Sequence, residues 1–139
     1  MGKAAVVYWS GTGNTKAMAD LVAEGAKEAG IDVSVFTADK FCADMANDFD
    51  VIAFGCPSMG DEQLEEYEFE PMFSSCINAL KSKKVALFGS YGWGDGAWMR
   101  SWNESCGNNG IYVIDTFICN EYPDGDAADG CKNLGKILK

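Results

Sequence analysis

The chain contains no histidine. The side chain that most often serves as a general base near neutral pH, and the commonest metal ligand, is therefore missing. The six cysteines, at 42, 56, 76, 106, 119 and 131, are nowhere spaced as C-x-x-C. That spacing excludes the usual zinc, iron–sulfur and thioredoxin arrangements. No metal site is expected, and no residue is assigned a catalytic role. Bases are scarce, with 11 Lys and Arg against 21 Asp and Glu and a net charge of −10. Binding to nucleic acid rests on Lys and Arg, so that class is excluded, as is attraction to an anionic membrane surface. No apolar run is longer than six residues, and none looks like a signal peptide or a membrane span. Six reduced thiols in a cytoplasmic protein are the simplest account, most of them expected as small hydrophobes in a core.

What is present suits one domain over residues 1–139. About two-thirds of the unfolded surface can be buried at this length, and 47% of the residues are hydrophobic. Five apolar runs alternate with five helical stretches. Strands are expected at 4–9, 32–37, 50–55, 84–90 and 111–119. The third and fourth are continuously apolar, as in strands buried on both faces of a parallel sheet. The first helix follows the turn after strand one, with Met18, Leu21, Val22, Gly25, Ala26 and Ala29 on one face and Gly30 as its stop. The third repeats the pattern from Phe69 to Leu80, with Pro71 in its first turn. The others are expected at 39–47, 96–106 and 124–138, the first of these short and weakly patterned. Such alternation predicts a doubly wound α/β sandwich with its ligand beyond the carboxyl ends of the strands.

Three loops fall at that edge. The first is Ser10-Gly11-Thr12-Gly13-Asn14-Thr15, between a strand and a helix N-terminus. Its side chains donate hydrogen bonds and its glycines admit close backbone approach, which suits a phosphate held without a cation. It is neither a Walker A loop nor a dinucleotide fingerprint, since Lys16 stands where a third glycine belongs. The same residues would also serve as a plain helix cap. The second loop is Cys56-Pro57-Ser58-Met59-Gly60-Asp61-Glu62. Gly60 allows alternative turn geometries and Met59 offers a polarizable thioether, although an ordinary surface turn reads the same way. The third is Ser90-Tyr91-Gly92-Trp93-Gly94-Asp95-Gly96. A tryptophan between glycines has little local packing, so it either stacks on a flat ligand or folds back on the sheet edge. Together the loops fit a flat aromatic monophosphate, and flavin mononucleotide (FMN) is such a molecule.

With S-G-T-G-N-T after strand one, M-G-D-E after strand three and G-S-Y-G-W-G-D-G at strand four, the chain resembles the short-chain flavodoxins of anaerobic bacteria, of the clostridial type. The resemblance runs the whole length. It implies a flavodoxin-like three-layer α/β sandwich: a five-stranded parallel sheet in the order 2-1-3-4-5, helices on both faces, and FMN at the switch between strands one and three. It further implies that Ser10, Gly11, Thr12, Gly13, Asn14 and Thr15 hold the FMN phosphate. Met59 and Trp93 would cover opposite faces of the isoalloxazine. The Gly60–Asp61 peptide would lie beside N5, with Ser58 in the same loop and the Glu62 carboxylate near N3. Ser90, Tyr91, Gly92, Trp93, Gly94 and Asp95 would wrap the remaining edge. Pro57 and the Met-Gly-Lys-Ala opening depart mildly from the pattern.

The function implied is a low-potential one-electron carrier, not an enzyme. It would shuttle between flavin semiquinone and hydroquinone and serve redox enzymes in place of ferredoxin. A turn at Gly60 that presents a carbonyl to the protonated N5 would stabilise the semiquinone. The six carboxylates of 61–70 would oppose the second electron. The expected partners are larger redox enzymes with basic docking faces, met transiently by a monomer; neither nucleic acid nor membrane is expected. Two other readings are weighed against it. An FMN-dependent NAD(P)H reductase would need a second nucleotide loop, and a signalling receiver would need an acidic cluster after strand one.

Overall fold

The computed structural model describes residues 3–60 and 62–139. The elements, in chain order, are β1 (Lys3–Tyr8), α1 (Asn14–Glu28), β2 (Asp32–Thr37), a 3₁₀ turn (Ala38–Lys40), α2 (Ala43–Ala46), β3 (Val51–Gly55), α3 (Phe69–Leu80), β4 (Lys84–Tyr91), α4 (Ala97–Asn108), β5 (Tyr112–Asn120) and α5 (Asp126–Lys136). The sheet runs β2-β1-β3-β4-β5, and every neighbouring pair is parallel. This is the flavodoxin-like order expected from the resemblance.

Alternation along each strand divides the core into two layers. Ala5, Val7, Ile52, Phe54, Val85 and Leu87 face α3 and α4 and meet Phe69, Phe73, Trp98 and Trp102. Ala4, Val6, Ala53, Ala86 and Phe88 face α1 and α5 and meet Met18, Val22, Cys131 and Leu134. The central strands are therefore apolar at successive positions, whereas β2 and β5 at the edges are only partly buried. Five of the six cysteines are buried in these layers, and Cys42 is exposed. Burial pushes the Cys56 thiol up to about 12 and those of Cys106 and Cys119 to about 11. Among the described residues, no helix is long and apolar enough to cross a membrane.

One expected helix differs in form. The 39–47 segment is not one helix but a 3₁₀ turn and the four residues of α2, separated by extended Phe41 and Cys42. Phe41 accounts for the break. Its ring packs on Phe36, Phe49 and Phe54 at 5.5, 6.5 and 6.2 Å. A chain that turns this ring inward cannot keep helical dihedrals there.

From β1 the chain reaches β2 on one side, and β3 lies on the other. The carboxyl ends of β1, β3, β4 and β5 meet at one edge, where the strand order reverses and a crevice opens.

Candidate functional site

The chain leaves β1 at Trp9, whose indole N–H donates to Glu68 Oε1 at 3.0 Å. Beyond it the Gly13 N–H donates to Ser10 Oγ at 3.1 Å, and Gly13 adopts a left-handed φ of 101° to start α1. That bond is internal to the turn. No side chain caps α1, and no acidic residue stands in its first turn. Thr15 is 1% exposed, and among the described residues its hydroxyl has no hydrogen-bond partner. The plain-cap reading of this loop therefore loses: the hydroxyls are present, but they do not satisfy the helix.

The other long helices are treated differently. The Glu65 carboxylate takes N–H groups of Tyr67, Glu68 and Phe69 at 2.8–2.9 Å and so covers the start of α3. Glu62 Oε1 accepts the Ala97 N–H at 3.0 Å and covers the start of α4. The first turn of α5 carries Asp126 and Asp129. A helix N-terminus favours negative charge, and each of these has a carboxylate beside it. Among the described residues, the α1 terminus has none.

The second loop is tied to β4 by Ser58 N–H to Ser90 O at 3.0 Å. It then closes on itself, since Met59 and Gln63 exchange backbone bonds of 2.8 and 2.9 Å. Gly60 (φ 50°) and Glu62 (φ 55°) both lie in the left-handed region. For a glutamate that conformation is costly, and the bond to the α4 N-terminus offsets it. A Cβ on Gly94 would lie 2.6 Å from the Glu62 carboxyl carbon, so glycine at 94 makes room for this clamp. Asp61 lies outside the described residues. Past the hairpin, the Glu65 N–H donates to Cys56 Sγ at 3.4 Å, and Glu65 is 5% exposed. Burial pushes its carboxyl up, but the N–H groups of Phe69, Glu68 and Tyr67 together win and hold it below the usual range.

In the third loop the buried Ser90 hydroxyl donates to Glu121 O at 3.0 Å. Tyr91 packs on Trp98 at 5.7 Å, and the Trp98 indole N–H donates to Cys56 O at 3.1 Å. Trp93 does not fold back on the sheet edge: it is 63% exposed. Asp95 pairs with Arg100 at 3.0 Å.

The loops converge. A cavity of about 290 Å³ is lined by Thr12 and Asn14 from the first, Ser58 and Met59 from the second, and Tyr91 and Gly92 from the third. Ser10 and Gly13 line instead a cavity of about 410 Å³ on the β2 side of Trp9, to which Gly11 and Thr12 also contribute. Thr15 lies beneath the first loop, Gly60 is exposed at the hairpin tip, and Trp93, Gly94 and Asp95 are exposed in the third loop. Glu62 faces neither cavity but a groove between α3 and α4. Sequence reasoning passed over Glu121, a cavity-lining residue at φ 58° just past β5. The rule that ligands sit beyond strand ends would have found it, had it been applied to β5.

The family model for flavodoxin matches residues 6–135. A flavodoxin from Megasphaera elsdenii is 51% identical over 132 residues, 94% of each chain. One from Clostridium beijerinckii is 44% identical over 133 residues, 96% of each. The solution structure of two-electron reduced Megasphaera elsdenii flavodoxin is similar with a TM-score of 0.90, at 47% identity over 96% of both chains.

Proposed function

This chain belongs to the flavodoxin family, FMN-binding electron-transfer proteins rather than enzymes, and on that premise we propose that it is a low-potential one-electron donor to larger redox enzymes, used in place of ferredoxin. The observation that carries the site assignment is the α1 N-terminus, which among the described residues lacks the carboxylate found beside α3, α4 and α5 and keeps the Thr15 hydroxyl buried without a partner. A monoanionic or dianionic phosphate supplies the acceptors that this donor set wants. The residues therefore fit FMN, and residues 1–139 form a single FMN-binding domain.

Bound FMN supplies the reversible one-electron chemistry. The chain's own residues hold and tune it. Ser10 to Thr15 receive the phosphate on hydroxyls and backbone N–H groups, with no base required. Met59 and Trp93 flank the ring system, and the exposure of Trp93 leaves its indole face available for stacking. Gly60 gives the hairpin a residue that tolerates a left-handed conformation, so the turn beside the ring can change its backbone bonding at low cost. Glu62, Glu65, Glu66, Glu68 and Glu70 place negative charge near the site and oppose a further electron there. Ser58, Ser90, Tyr91, Gly92, Gly94 and Asp95 complete the surround. An acidic surface also suits brief encounters with basic faces of partner enzymes, the monomer being the diffusing unit.

A reductive titration of the purified protein followed by absorbance tests the reading. The expected result is a yellow protein with one FMN per chain, reduced in two separated one-electron steps, the second at low potential. A colourless protein that takes up no FMN when offered an excess would sink it.

A further inference from the structure

An open groove of about 460 Å³ runs between α3 and α4, larger than either cavity at the sheet edge. Phe73 and Ile77 from α3 and Trp98 and Trp102 from α4 make its floor apolar, and Leu64 stands at one end. The rim is acidic: Glu66 and Glu70 are exposed along it, and Glu62 lies where it meets the hairpin. No lysine or arginine lines it, and among the described residues no base pairs with any of these three carboxylates. Trp102 lines the groove and is 3% exposed, and among the described residues its indole N–H has no hydrogen-bond acceptor. The groove thus combines an apolar floor with carboxylates on Glu66 and Glu70 that no base among the described residues neutralises.

These features select the occupant. A second copy of a chain with net charge −10, or an anionic lipid, would bring like charge to the rim. A basic peptide segment meets both demands. Its apolar side chains fill the floor, and its lysines or arginines meet Glu66 and Glu70. We infer that the α3–α4 groove docks a basic, leucine-type segment of a partner redox protein. Because Glu62 belongs both to this groove and to the Met59–Gln63 hairpin, a segment held here sets the partner's body against the exposed edge of the site. The inference rests on the electron-carrier reading for the nature of that partner; the groove itself does not depend on it.

The test is two-dimensional NMR of the isotope-labelled, FMN-loaded protein, following the Trp102 indole N–H signal. The probe is a capped Arg-Leu-Leu-Arg tetrapeptide, compared with Glu-Leu-Leu-Glu and Arg-Gly-Gly-Arg. The first should shift the signal saturably, with affinity falling severalfold on adding salt, and the other two should bind at least about tenfold more weakly. Ser105→Arg, at an exposed position of the groove wall, should abolish the shift while FMN content is unchanged. The double variant Glu66→Gln/Glu70→Gln should weaken the first peptide and leave the rest of the spectrum in place. The absence of a saturable shift, or an equal response to all three peptides, overturns the inference. A failure of the carrier reading would register separately, as missing colour and missing FMN uptake.

Discussion

Thr15 carries the sharpest prediction at the level of single residues, because its hydroxyl is buried with no partner among the described residues. Thr15→Val keeps the shape and removes the donor. The FMN-free protein should then be as stable or up to about 1 kcal/mol more stable, since an unmet buried donor is lost. FMN affinity should fall about tenfold for the missing charge-assisted bond. Urea denaturation of the apoprotein and a fluorescence titration with FMN check the opposite signs; equal affinity would remove Thr15 from the phosphate site. Gly60 makes a different bet. A Cβ there meets no atom within 4 Å, so any cost of Gly60→Ala comes from its φ of 50° alone. Borne by the one-electron-reduced state, a cost of about 1 kcal/mol lowers the first potential and raises the second by about 40 mV each, so a redox titration should show the gap between them narrowed by about 80 mV. An unchanged gap would free the turn of any redox role.

The helices take their character from their ends and from one close contact. At the start of α3, Glu65 is charged because three backbone N–H groups outweigh its burial. Its folded pKa lies below its unfolded value, so its contribution is complete above the ordinary carboxylate range and is lost as pH falls through the folded value. Glu65→Gln should cost about 1–2 kcal/mol near neutrality, and the denaturation midpoints of variant and parent should converge toward acid pH. A constant offset at every pH would mean that the charge does not matter. The α1–α5 contact depends on two glycines. A Cβ on Gly135 would lie 1.9 Å from Val22 O, and one on Gly25 would lie 2.1 Å from Lys132 O. Gly135→Ala should destabilise by about 1–3 kcal/mol, since backbone cannot yield as a flexible side chain can. Gly107→Ala in α4, with nothing nearby, should instead gain up to about 1 kcal/mol. Urea titration of the pair measures both, and equal effects would refute the crowding argument.

Across the whole molecule, charge is the property that reaches furthest. The chain carries a net −10, and six carboxylates with no base crowd into residues 61–70. Each carboxylate about 10 Å from a reduced ring would raise its energy by roughly 0.8 kcal/mol at an effective dielectric of about 40, or about 35 mV for one electron. Exposed groups contribute less, because salt screens them over about 8 Å. The same field would steer a basic partner toward the site. The rate of electron transfer to a basic acceptor protein should therefore fall steeply as ionic strength rises, in stopped-flow mixing of the reduced carrier with cytochrome c. A rate indifferent to salt would leave the acidic surface with solubility as its purpose.

What the chain reveals by itself is whatever local chemistry repeats along it. Val51–Gly55 reads as a central strand because an apolar run of that kind must be covered on both faces, and the two core layers cover it. The three loops were legible because glycines, hydroxyls and an isolated tryptophan sit where strands end, and the cavity they share lies there. Tertiary structure alone settled the remainder. Phe41 broke the expected 39–47 helix only because Phe36, Phe49 and Phe54 wait for its ring. Glu62 was expected beside the flavin from the resemblance, but its bond to the start of a helix 35 residues away exists only once folding brings the two together. Glu65 became a buried charge, and Glu121 a cavity wall, in the same way. Propensity and periodicity act between near neighbours and are written in order, whereas the partners of a carboxylate, a thiol or an indole N–H are fixed only when distant elements come to rest together.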